Sequence, residues 1–134
     1  MASKPMESLA QQLGFAATDR VAIVHADDIG MCHAANVGAF DALANGVVSC
    51  GSIMVPCPWF REAADLARAN PHLDLGVHLT LNAEWPSYRW GPVAGRDRVP
   101  SLLAEQGYLP RTLLEVLRAA KPEHVEIELR AQIE

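Results

Sequence analysis

Val21-Ala-Ile-Val-His-Ala-Asp-Asp-Ile-Gly30 is an apolar run of β type that closes on two adjacent carboxylates and a glycine. Two like charges about 5 Å apart at an effective dielectric of about 20 repel by roughly 3 kcal/mol. A pair of acids ending a strand must share a proton, spread into water, or be neutralised by a metal ion or a base. Asp and Gly also form ordinary turns, so a solvated turn is the plain alternative.

Outward from this run the hydrophobic period alternates between strand and helix. Residues 31–45 set Val37, Phe40 and Ala44 at helical spacing, and Asn45-Gly46 supplies a stop. A second β-type run, 47–55, is halted by Pro56 and Pro58, and helical spacing resumes over 59–69 through Phe60, Ala63, Ala64 and Ala67 until Asn70-Pro71 ends it. A third strand is expected over 73–82, a short helix over 111–120, and another from Pro122 to the end of the chain without a stop signal. Strands alternating with helices at this spacing predict an α/β fold with a parallel sheet and right-handed crossovers. Active groups then gather at the C-terminal ends of the strands. The stretch 83–110 is rich in Pro, Gly, Arg and aromatics and too long for a passive connection, which marks it as a functional loop.

With 134 residues, half of them hydrophobic and a fifth charged, the chain suits one globular domain at 21–134 behind a leader at 1–20. A net charge of −5 with no basic stripe argues against nucleic acid. The leader lacks the apolar stretch of a secretory signal, and no run approaches the length of a bilayer span. A soluble, cytoplasmic protein is therefore expected. Cys32, Cys50 and Cys57 are odd in number and lack the spacing of a zinc or redox motif, so they are read as buried, reduced thiols.

Parallel strands covered on both faces are normally apolar throughout. Yet in Gly76-Val-His-Leu-Thr-Leu-Asn82 the residues His78, Thr80 and Asn82 share one side. A polar row there must find partners, because an unsatisfied buried group costs about 1–3 kcal/mol. A histidine bonded within the core would meet that need, as would a metal ligand. Asp and His together offer oxygen and nitrogen donors suited to zinc, manganese, cobalt or nickel, and with water to magnesium. Neighbouring side chains on a strand point opposite ways, so Asp27 and Asp28 must have different roles unless the chain turns at Ile29-Gly30. His33 could reach the same mouth, His25 is read as structural, and His72 and His124 as solvated.

The run His25-Ala-Asp-Asp-Ile-Gly-Met31, then Ser52-Ile-Met-Val55, then Leu75-Gly-Val-His-Leu-Thr-Leu81 resembles the YdjC-like carbohydrate deacetylases, which include chitooligosaccharide and hopanoid-associated members. The similarity extends from about Val21 to the end of the chain, and Glu84-Trp-Pro-Ser-Tyr-Arg-Trp-Gly-Pro92 is similar to one branch of that family. The resemblance implies the N-terminal half of a distorted, TIM-like (β/α) barrel and hydrolysis of an N-acetyl group on an amino sugar or oligosaccharide. It carries Asp27 onto the catalytic base, and Asp28 and His78 onto ligands of one divalent ion, magnesium or zinc ahead of manganese, cobalt or nickel. The family's second metal histidine sits in a Thr-His-Leu-Asp-Ser-His-like motif that would fall beyond Glu134. Half a barrel would leave strand edges open to the rest of the barrel or to a second copy in a homo-oligomer.

In the long loop Trp85, Tyr88, Arg89 and Trp90 offer flat faces and a cation, as a sugar-stacking wall does, or else pin the loop to the barrel. Two other function classes compete with a deacetylase. One is a non-catalytic sugar-binding half-barrel, which the missing ligand favours. The other is a phosphoacceptor receiver domain, which would need a further aspartate ending strand three and a late lysine. Strand three carries His78 instead, and Lys4 and Lys121 are the only lysines.

Overall fold

The computed structural model describes residues 7–134. A three-stranded parallel sheet of order β1-β2-β3 is built from β1 (His25–Ile29), β2 (Cys50–Ile53) and β3 (Leu75–Val77). The helices are α1 (Leu9–Gln12), α2 (His33–Asn45), α3 (Phe60–Ala69), α4 (Leu113–Ala119) and α5 (Pro122–Ile133). The α/β class and the parallel pairing agree with the sequence reading. The described residues form three adjacent strands and do not close a barrel.

The strands are shorter than their apolar runs. Residues 21–24 are exposed and outside β1, although Val24 still accepts a bond from the Ser49 amide at 2.8 Å. β3 ends at Val77, so His78 stands one residue past the strand in which it was expected; its amide donates to the Ile53 carbonyl at 2.9 Å and prolongs the ladder by one bond. The buried stripe of α2 runs through Asn36, Phe40 and the half-buried Leu43, while Val37 points to solvent. The helix is rotated from the expected face because Asn36, fully buried, has backbone groups to bond there.

Two apolar clusters hold the chain. One joins the sheet to α2 and α3 through Ile29, Phe40, Ile53 and Ala63. The other is built by the long loop against α5, with Met54, Cys57, Ala83, Trp90, Ala94, Val99, Leu102 and Leu109 buried together. The loop is therefore packed, with two short 3-10 turns at Pro100–Leu102 and Glu105–Gly107, and its ends are tied by the Ala83 amide donating to the Pro110 carbonyl at 2.7 Å. Thr112 and Glu115 form a reciprocal cap that starts α4, and Pro122 opens α5 as a proline suits a first helical position. No helix among the described residues is long and apolar enough to cross a membrane.

A candidate metal centre at the strand ends

The two acids come to one place because β1 holds an extra residue. In the pairing with β2, Ala26 faces Gly51 and Ile29 faces Ile53, so three steps on one strand match two on the other. Asp28 takes up the difference with φ +55°, a left-handed conformation that an aspartate tolerates better than most side chains. The chain does turn at Ile29-Gly30, where the Met31 amide donates to the Asp28 carbonyl at 3.2 Å, and the left-handed Asp28 adds the bulge just before it. The strict alternation that would separate the two carboxylates is thereby cancelled.

Three bonds fasten this turn. The Gly30 amide donates to Asn36 Oδ1 at 2.6 Å, the Met54 amide to the Ile29 carbonyl at 2.7 Å, and the Trp59 amide to the Gly30 carbonyl at 3.0 Å. Gly30 has φ +99°, and a Cβ there would lie 3.0 Å from the Met54 carbonyl oxygen, so the position requires glycine. Asn36 also donates to the Trp59 carbonyl at 3.1 Å and to Glu62 Oε2 at 2.7 Å. The hydrogen bond from Asn36, with a smaller contribution from His33, holds the Glu62 carboxyl below the usual glutamate range.

Asp27, Asp28 and His78 each offer a donor atom, and these atoms lie within 4.8 Å of one another. His78 Nε2 is 3.6 Å from Asp28 Oδ1, longer than a good hydrogen bond. Two donors about 2.1 Å from one tetrahedral ion would sit about 3.4 Å apart, so the spacing suits joint ligation. Burial raises the Asp28 pKa, with the Asp27 and Glu84 carboxylates adding to the rise and the His78 ring opposing it. A half-buried acid whose charged form is disfavoured, beside a second acid and an imidazole, fits a divalent cation.

The cleft in front of the cluster is lined by Asp28, Met54, His78, Asn82, Glu84, Trp85 and Trp90, among others. Of the four loop residues expected to form a sugar wall, Trp85 and Trp90 reach this cleft; Tyr88 and Arg89 do not line it. Trp90 is buried and its indole donates to the Asn82 carbonyl at 3.0 Å, so it anchors the loop as well. Arg89 donates to the Leu109 carbonyl at 2.8 Å and lies over the Tyr108 ring. Glu84 was not singled out by the sequence reading as a site residue; its signal was a carboxylate two residues after the polar row of the third strand.

The other histidines stay out of the cluster. His33 bonds Glu62 Oε1 at 2.7 Å and packs on Trp59 with ring centroids 5.4 Å apart. His25 lies 3.1 Å from Cys50 Sγ and 2.9 Å from Ser52 Oγ across the strands. His72 is exposed in a turn, as expected. His124 departs from the reading as a solvated group, because it bonds the Ser101 hydroxyl at 2.7 Å and ties α5 to a 3-10 turn. All three cysteines are free, but only Cys57 is buried; burial, aided by the Asp28 charge, pushes its thiol up to about 12, which makes it inert.

The family model described as YdjC-like protein matches residues 21–134. A carbohydrate deacetylase of Thermus thermophilus is 44% identical over 115 residues, covering 86% of this chain and 38% of that protein. A chitooligosaccharide deacetylase of Yersinia pestis is 33% identical over 118 residues, with 87% and 43% covered. The solved structure of an Enterococcus faecalis protein provisionally assigned to cellobiose-phosphate cleavage superposes with a TM-score of 0.71 at 35% identity, covering 82% of this chain and 41% of the other. The chain spans about two fifths of the length of these relatives.

Proposed function

We propose, from the premise that this chain belongs to the YdjC-like protein family, that it bears the acidic half of the active site of a metal-dependent carbohydrate deacetylase. The substrate is an acetylated amino sugar or oligosaccharide, and the three strands are the first staves of a (β/α) barrel. The convergence of Asp27, Asp28 and His78 donors within 4.8 Å carries this reading. Relatives named as carbohydrate and chitooligosaccharide deacetylases supply the substrate class.

Asp28 and His78 hold the ion, which when bound supplies a Lewis acid to the acetyl carbonyl. Asp27, exposed beside them, takes a proton from the water that attacks the carbonyl carbon. The C–N bond then breaks, and the proton held at Asp27 is available to the departing nitrogen, giving acetate and a free amine. Trp85, half-exposed, offers a flat apolar face to a sugar ring in the cleft that the buried Trp90 also lines.

Metal analysis of the purified protein beside Asp28→Ala and His78→Ala tests the centre. Bound divalent metal in the parent, and none in the variants, is the expected result; equal metal in all three sinks it. Acetate release from N-acetylglucosamine oligomers tests the chemistry, and metal binding without acetate would favour a sugar-binding role.

A further inference from the structure

We infer that Gln132, on α5, is a positioning residue for His78, its side-chain amide standing where a neighbouring strand would bond the chain just past β3. This rests on the reading of Asp27, Asp28 and His78 as a metal cluster. Gln132 Oε1 accepts from the Thr80 amide at 2.9 Å, and Gln132 Nε2 donates to the Thr80 carbonyl at 2.7 Å. Taking both main-chain groups of one residue is the pattern of a closely spaced pair in a strand ladder. The Thr80 hydroxyl in turn donates to the His78 carbonyl at 2.8 Å, and the His78 amide is held by the Ile53 carbonyl. Both main-chain groups of His78 are thus fixed, one by the sheet and one through Thr80 by α5.

The network continues from Gln132 to the loop through a second buried side chain. The second proton of the Gln132 amide goes to Glu128 Oε1 at 2.7 Å, and the Glu128 carboxylate accepts from the Val93 and Ala94 amides at 3.0 and 2.9 Å. Thr80, Glu128 and Gln132 are all at least 96% buried. On a helix face that otherwise packs Val125, Ile127 and Ala131 into the core, an apolar side chain would fill the same space. What it could not do is choose one orientation for the peptide at Thr80, and with it the aim of the His78 ring toward Asp28.

The test compares Gln132→Met, which keeps the volume, with the parent. Zinc alone is titrated by calorimetry, and the His78 ring is followed by its Cε1–Hε1 cross-peak in metal-free protein. Zinc affinity is expected to fall about tenfold, the loss typical of removing a partner that orients a ligand. The His78 cross-peak should broaden or double while those of His25 and His33 stay put. An unmoved His78 signal with zinc affinity within about twofold of the parent overturns the inference. Should Gln132→Met fail to fold, Thr80→Val decides by the same two readings, and Thr80→Ser, which keeps the hydroxyl, must restore them. A parent that binds no zinc refutes the metal centre, and the cross-peak still judges the positioning role on its own.

Discussion

The two arms of the candidate centre are held by different means. The aspartate arm belongs to the sheet with α2 and α3, where Ile29, Phe40, Ile53 and Ala63 form an apolar layer and one buried amide, Asn36, fastens the turn. The histidine arm belongs to the loop and α5, where a buried carboxylate and a buried amide bond peptides 34 to 52 residues away. Burial of apolar surface has no direction, whereas hydrogen bonds do. The regular half thus needs little polar fixing, and the irregular half, whose peptides lack strand partners, takes its order from side chains.

The sharpest way to break this contrast is Glu128→Ala. The buried Ala94 amide, the part-buried Val93 amide and the Gln132 amide would lose their acceptor, for a destabilisation of about 3 kcal/mol measured by denaturant titration; a loss under 1 kcal/mol would show that the loop is held by its apolar contacts alone. Ile29→Ala in the sheet layer should cost about 3 kcal/mol through lost burial and a cavity, with no change in the loop's amide exchange. Asp28→Asn keeps a residue that tolerates the left-handed conformation and removes a charge held against Asp27 and Glu84. It should abolish metal binding while stabilising the metal-free protein by about 0.5 kcal/mol after solvent screening, read as a rise in Tm.

The smallest effect concerns pH. The folded-state pKa of Glu62 is lowered, chiefly by the Asn36 hydrogen bond. Its contribution is present above the ordinary glutamate pKa and fades as pH falls through the folded value. Glu62→Gln should flatten that part of the acid stability profile, and an unchanged slope between parent and variant would show that the carboxylate's charge adds nothing.

How much of this was legible depended on sequence distance. Asp27, Asp28 and His78 stood out because polar groups interrupt apolar runs, and the strand–helix alternation gave α2, α3 and the parallel sheet. The bulge at Asp28 was not legible, since its φ is settled by pairing with a strand some 25 residues on. The same holds for Asn36 over Val37, where a polar residue takes the inner face because the Gly30 amide waits there. Glu128 and Gln132 did carry a signal, polar residues at i and i+4 in line with His124 and flanked by Val125, Ile127 and Ala131, but their partners at Val93, Ala94 and Thr80 are too far along the chain to be named from it. Trp90, expected only at a sugar wall or as a pin for the loop, lies deep in the second core while still reaching the cleft.

The extra residue in β1 makes this site a matter of counting as much as of chemistry. Removing one of the two aspartates would let the strand run in step with its neighbour, Ala26 and Ile29 still facing Gly51 and Ile53, and would leave the mouth one carboxylate where it now has two. Substitutions there trade one donor for another, but a deletion removes the bulge that lets two consecutive acids share one mouth. A search for working variants of this edge should therefore hold its length fixed and vary only its letters.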